Sequence, residues 1–235
     1  MGDDVASPPL RVLRAGVVPH AEVAEEMRRL QRLRIDGAIP DTLILVEHPE
    51  VVTIGPKARR DGFTVGRRMP TVDVDRGGGI TWHGPGQLVA YPIIEWRFEE
   101  QSVPGVIERL EAWIISALAE CGVESYRDSR MQGVWVDEHK VASVGLSFFR
   151  WVSRHGVSIN IDTPAGRVES VGGCGLAAGT TTSLAALQHT IDASGERLSR
   201  HRLERALLAA SEENLGRQPA DPTDVSSRPP WSSKH

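Results

Sequence analysis

Three consecutive glycines inside the stretch RGGGITWHGPGQLVAYP, residues 76–92, constrain this 235-residue chain more than any other feature. A glycine triplet costs conformational entropy on ordering and buries no side chain in return, so Gly77, Gly78 and Gly79 need a use. Two uses are physical: dihedrals closed to other residues, or close approach of a ligand to bare backbone. Ile80, Trp82, Leu88, Val89, Tyr91 and Ile93 around them are strand formers, and His83-Gly84-Pro85-Gly86 interrupts the ladder. The expectation is a ligand pocket walled by strand backbone, with a glycine-rich hairpin around a buried His83 as the plainer alternative.

The flanking segments supply the sheet. Residues 1–9 are small and polar and are expected to be loose, and Leu10 to Val18 can form a first strand. Val23, Met27 and Leu30 recur at helical spacing between Ala21 and Ile35, until Gly37 and Pro40 stop the pattern. Thr42–Val46 and Val51–Ile54 read as two buried strands, and Thr71–Asp75 as a third that leads into Arg76. Ser102 and Pro104 open a helix whose apolar face is Ile107, Leu110, Trp113, Ile114, Ala117 and Leu118, ended by Gly122. Cys121 in its last turn reads as a small buried hydrophobe. Gly133–Val136, Lys140–Ser147 and His155–Ile161 complete the sheet, and a last helix is expected from about Glu196 to Leu215. Beyond Arg217 the Pro, Ser, Asp and Arg lack periodicity, so residues 217–235 are expected to be a disordered tail after one domain over 10–216.

Composition narrows the class. With 27 basic against 31 acidic residues the formal charge is −4, which points to neither nucleic acid nor an anionic membrane. Two cysteines are too few for a disulfide framework, no apolar run approaches the roughly 18 residues of a membrane span, and no signal pattern opens the chain. A cytoplasmic protein with free thiols is expected. Against that balance, Lys57 to Arg68 reads KARRDGFTVGRR, a basic loop that is either simply solvated or a docking surface for an acidic partner.

Cys174 lies between glycines in Val171-Gly-Gly-Cys-Gly175, in a loop after a strand. A free thiol with a pKa of about 8.5 is mostly protonated at neutral pH, so a nucleophilic Cys174 needs a nearby cation or a nest of N–H groups. Lys140, opening a strand of apolar and small residues, is the candidate cation, and a solvated strand end is the alternative. The N–H groups of Gly77–Gly79 and those around Cys174 could form an oxyanion hole. His83 and His155 are candidate bases or orienters, or structural histidines; Asn160 and Asp162 read as loop anchors. No metal-ligand spacing and no Walker-type loop is present.

Four ordered motifs over roughly residues 40–185 resemble the lipoate-biosynthesis octanoyltransferases, the lipoyl(octanoyl) transferase family. They are Arg76-Gly-Gly-x-x-Thr-x-His-Gly-Pro-Gly-Gln-Leu-Val-x-Tyr-Pro-Ile, Lys140-x-x-Ser-x-Gly, His155-Gly-x-x-x-Asn160, and Cys174-Gly175 followed by Thr182-Ser-Leu184. The resemblance implies an α/β (α+β) fold, a mixed β-sheet flanked by helices like the biotin and lipoate protein ligase catalytic domain. It implies a cysteine/lysine dyad of Cys174 and Lys140, with substrate contacts at Arg76, Gly77, Gly78, Gly79, Ile80, Thr81, Trp82, His83, Ser143, Val144, Gly145, Gly156, Val157 and Ser158. It further implies octanoyl transfer from acyl carrier protein, through a Cys174 thioester, to lipoyl domains of 2-oxoacid dehydrogenases and glycine cleavage H protein. No cofactor, ATP, metal, nucleic acid or membrane is expected. The family often has proline immediately before the cysteine, where this chain has Gly173.

Thioester exchange onto Cys174 is near balance, and transfer onward to an amine is downhill, so nucleotide is not required. Lys140 or the thiolate is the expected acceptor of the incoming amine's proton. Three competing readings differ in one requirement each: an ATP-using lipoate ligase needs phosphate contacts and not Cys174, an acyl or lipoyl-domain binding module needs neither Cys174 nor Lys140, and a thiol hydrolase pairs Cys174 with His155.

Overall fold

The computed structural model describes residues 7–61, 69–171, 179–225 and 229–231. In chain order the elements are β1 (Pro9–Val17), α1 (His20–Ile35), β2 (Asp41–Glu47), β3 (Val51–Ile54), α2 (Pro56–Arg60), β4 (Thr71–Asp73), β5 (Ile80–His83) and β6 (Gln87–Ile93). Then follow α3 (Val103–Glu120), β7 (Tyr126–Asp128), β8 (Met131–Val136), β9 (His139–Phe149), β10 (Val152–Asn160), α4 (Arg167–Ser170), α5 (Arg200–Ala209), α6 (Ser211–Leu215), β11 (Gln218–Pro219) and β12 (Thr223–Asp224).

The main sheet runs β11-β1-β2-β6-β10-β9-β8-β7, with β12 also on β1. β1 and β2 are parallel, and every pairing from β2 to β7 is antiparallel. Both faces of the central strands are covered. Leu43, Leu45, Leu88 and Ala90 pack with α3 and α5 residues such as Trp113, Ile114 and Leu207, whereas Ile44, Val46, Val89 and Tyr91 pack with Val23, Met27 and Leu30 of α1. Burial on both faces is why these strands read as continuous apolar runs rather than alternating ones. A second sheet, β4-β3-β5, stands beside it and carries the glycine-rich loop between β4 and β5.

Several segments depart from the sequence reading. Val51–Ile54 is a strand as expected but belongs to the small sheet. The start of the basic loop, Pro56–Arg60, is helical, and residues 62–68 lie outside the described residues. The last helix begins at Arg200, not Glu196, because Asp192 accepts from the backbone N–H groups of Ser194 and Glu196, both at 2.9 Å, and holds that stretch in a turn. Ser199 then caps α5 by accepting from Arg202 N.

The expected disordered tail is the largest correction. Arg217 is 1% exposed and ion-paired to Asp41 at 3.0 Å and Glu100 at 2.6 Å; β11 and β12 add to the β1 edge; and Trp231 is buried against α1. These residues borrow a core from the rest of the chain, which their own composition cannot reveal.

Candidate active site

Arg76 enters the glycine loop almost fully buried. Its Nη2 donates to Thr53 O at 3.1 Å and Thr53 Oγ1 at 2.7 Å, and its Nη1 to Gly77 O at 3.1 Å, which pins the loop to β3. Gly77 N donates to Leu146 O on β9, and the carbonyls of Gly78 and Gly79 accept from Lys57 N and Gly55 N. Gly78 has φ +94°, a conformation that favours glycine. The triplet therefore bridges the two sheets, and the N–H of Gly77 is already engaged rather than available to an oxyanion.

Lys140 lies near the start of β9 and is 5% exposed, so it is not a solvated strand end. Its position depends on Gly133 of the neighbouring β8: a Cβ there would come within 2.5 Å of Lys140 Cε, at a φ of +130°. The β8 to β9 register also shifts between Val134 and Trp135, beside the Lys140 pair. The Lys140 backbone donates to Thr180 O at 2.9 Å and accepts from Thr182 N at 3.0 Å. Thr182 is held in turn, since its carbonyl accepts from Asn160 Nδ2 at 3.0 Å, and Asn160 Oδ1 accepts from Gln87 Nε2 at 2.8 Å. Asn160 is thus the loop anchor that its sequence context suggested.

Between these walls lies a cavity of about 390 Å³. It is lined by Arg76, Gly77, Gly78, Gly79, Ile80, Thr81 and Trp82 from the glycine-rich segment, by Lys140, Ser143 and Val144 from β9, and by Ser158 from β10. His83, Gly145, Gly156 and Val157 do not line it. They line an adjoining chamber of about 30 Å³ that shares Arg76, Thr81, Ser143, Val144 and Ser158 with the larger one. Cys174 lies outside the described residues, but Val171 before it and Thr181 after it both line the larger cavity. Gln87, Arg130, Met131, Gln132 and Val168 line it too, without having been named as site residues from sequence, as does Lys57, which the sequence marked only as the start of the basic loop. Only Gln87, a polar residue opening an apolar strand, carried a usable signal. Among the described residues no group of three His, Cys, Asp or Glu side chains could hold a metal ion, and no helix is long and apolar enough to cross a membrane.

A family model described as the lipoyl protein ligase A/B catalytic domain matches residues 21–197. An octanoyltransferase of Solibacter usitatus is 36% identical over 194 residues, which cover 79% of this chain and 88% of that protein. One from Mycolicibacterium gilvum is 40% identical over 190 residues, covering 78% and 79%. The chain belongs to the octanoyltransferase family. Its fold is similar to that of a bipartite lipoate protein ligase from Thermoplasma acidophilum, with TM-score 0.64 at 12% identity over 94% of this chain and 87% of that one. Biotin protein ligase from Aquifex aeolicus follows at 0.51 and 15%, over 88% and 70%. The mixed sheet with flanking helices is the ligase catalytic-domain fold that the motifs implied.

In this octanoyltransferase family member the small chamber ends among histidines. The rings of His20, His48 and His83 lie 5.3–5.9 Å apart, and Tyr91 is 5.8 Å from His48 and 6.4 Å from His155. His48 donates from Nδ1 to Val18 O at 2.6 Å, which leaves Nε2 to accept from the Tyr91 hydroxyl at 2.9 Å. His83 Nδ1 donates to Gln87 Oε1 at 2.8 Å. Burial disfavours the imidazolium in each: His20 is lowered to about 3, His48 to about 4, and His83 well below its ordinary value. A neutral, fully enclosed His83 is a structural histidine rather than a base facing the larger cavity.

His155 has φ +62° within β10, and its Nε2 donates to Asp75 Oδ1 at 2.9 Å, tying the residue before Arg76 to the sheet. Burial lowers the His155 pKa against that pairing, while the hydrogen bond holds Asp75 down at about 2. Arg154 is nearly buried and paired with the same carboxylate, so it is not part of an open basic surface. Lys57, Arg60 and Arg150 are exposed.

Proposed function

We propose that the chain transfers an octanoyl group from octanoyl-acyl carrier protein, through a thioester on Cys174, to a lysine of lipoyl domains in 2-oxoacid dehydrogenases and of glycine cleavage H protein. The observation that carries this reading is a buried lysine, Lys140, in the wall of the cavity whose rim includes both flanks of the Cys174 segment. Only two residues, Gly172 and Gly173, stand between Val171 and Cys174 in the chain.

In the first step the Cys174 thiolate, favoured by the Lys140 ammonium, adds to the thioester carbonyl, and the carrier's thiolate leaves, taking a proton from that ammonium so that Lys140 is left as a neutral amine. In the second the neutral ε-amine of the acceptor lysine adds to the acyl-enzyme carbonyl. The Cys174 thiolate leaves, and the proton shed by nitrogen as the amide forms passes to Lys140 or to the departing sulfur. Arg76 keeps the glycine loop against the acyl path, and the polar chain Gln87, Asn160, Thr182 holds the backbone on either side of Lys140. Neither step needs nucleotide or metal. Lys57, which lines the cavity, and the exposed Arg60 and Arg150 are the candidate contacts for acidic protein substrates.

Purified protein and an apo lipoyl domain, supplied either with octanoyl-carrier protein alone or with octanoate and ATP, test the reading. Octanoylated domain is expected in the first mixture, and its appearance only in the second would replace the transferase with an ATP-dependent ligase.

A further inference from the structure

Glu169 of α4 and Thr182 stand on either side of Cys174 in the chain, and the Thr182 hydroxyl donates to Glu169 Oε1 at 2.9 Å. The Glu169 carbonyl also accepts from Gly179 N at 3.0 Å, so one residue holds the returning chain by both its side chain and its backbone. The two ends of this contact belong to different walls of the cavity. On the α4 side, Val168 packs with Ile80 and Trp82 of the small sheet, and Arg167 and the Trp82 indole meet on Glu50 Oε1 at 3.5 and 3.1 Å. On the other side, Thr182 is buried and its N–H donates to Lys140 O at 3.0 Å. Glu169 therefore ties the small-sheet wall to the strand that carries Lys140.

Stability does not explain this contact. Glu169 Oε2 is buried with no hydrogen-bond partner among the described residues, and leaving a carboxylate oxygen so costs about as much as a hydrogen bond to a charged group returns. Position is the remaining use. We propose that Glu169 is a positioning residue for the acyl transfer: acting through Thr182, it sets where the Cys174 segment leaves and returns relative to Lys140. The proposal rests on the Cys174 thioester route set out above. An ammonium favours a thiolate only at close range, and a misplacement of about 1 Å can cost on the order of 100-fold in rate.

The test is the pH dependence of Cys174 alkylation by iodoacetamide, read by intact-protein mass. Cys121 is buried, and Cys174→Ser gives the background. The rate follows the thiolate fraction, so its midpoint reports the Cys174 pKa. Lys140→Ala is expected to move the midpoint up towards the free-thiol value of about 8.5. Glu169→Leu and Thr182→Val are expected to move it the same way, with the double variant going no further than either single one, and Thr182→Ser to rescue it. In the same two variants kcat for octanoyl transfer is expected to fall about tenfold or more at a KM within about twofold of wild type. If Lys140→Ala moves the midpoint while Glu169→Leu and Thr182→Val leave it in place, the proposal is overturned. If Lys140→Ala leaves it in place as well, the Cys174–Lys140 reading beneath it fails instead. Should Glu169→Leu not fold, Thr182→Val against Thr182→Ser carries the same question, and equal midpoints in those two overturn the proposal.

Discussion

Acidification from pH 7 to pH 5 is expected to weaken this fold through the buried histidines. For His20 and His48 the folded pKa values, about 3 and about 4, lie below the unfolded value of about 6.5, so the unfolded chain binds protons that the folded one refuses. Stability is then fully present above 6.5 and is lost as pH falls towards the folded values. At about 1.36 kcal/mol per unit, the 1.5 units between 6.5 and 5 remove about 2 kcal/mol for each histidine. His83 is lowered in the same direction by burial and adds to the loss, which for His20 and His48 together is already about 4 kcal/mol against a typical folding stability of about 5–15 kcal/mol. The carboxylates with lowered values, Asp75, Glu100, Asp128 and Asp192, act in a lower window, since their unfolded forms protonate near 4. Urea unfolding followed by tryptophan fluorescence at pH 7 and pH 5 measures the drop, and His48→Gln should remove about 2 kcal/mol of it whatever that variant costs at pH 7. Equal stability at the two pH values, or an undiminished drop in His48→Gln, would refute the assignment of these rings as buried and neutral.

Other perturbations read different parts of the structure. Gly133→Ala puts a Cβ against Lys140 Cε and is expected to cost about 1–3 kcal/mol in unfolding experiments and to lower transfer more than Gly37→Ala, whose Cβ meets nothing. Arg217→Ala leaves Glu100 without its guanidinium and Asp41 with Arg34 alone, and should cost about 3 kcal/mol; a negligible cost would mean that the 217–225 segment does not hold the β1 edge. Raising ionic strength should raise the KM for an acidic carrier protein without changing kcat, and a KM indifferent to salt would return Lys57, Arg60 and Arg150 to ordinary solvated residues.

What the sequence made legible was local and periodic. The Ser102 cap, the apolar stripe through Trp113 and the interruption at His83–Gly86 each announce themselves within a few residues, and each stands where expected. The glycine triplet correctly marked a cavity wall, but its detailed use was not readable, because the partners of Gly77–Gly79 are Leu146, Gly55 and Lys57, set by how two sheets meet. The division of the carried-over contacts between two chambers, with Thr81 in both and His83 only in the smaller, likewise follows from strand register. His20 and His48 gave no signal, since nothing in their sequence neighbourhoods says that β2, β6 and the start of α1 converge. The tail was misread for the complementary reason: Arg217 is 176 residues from Asp41, and an ion pair at that separation leaves no trace in composition.

The central claim is that Cys174 carries the acyl group. Intact-protein mass spectrometry after mixing wild type and Cys174→Ser with octanoyl-carrier protein, without nucleotide, addresses it most directly. A hydroxylamine-sensitive octanoyl adduct on wild type alone, discharged by an apo lipoyl domain, is the predicted result. Octanoylation of the domain by Cys174→Ser at the wild-type rate, with no adduct on either protein, would contradict it.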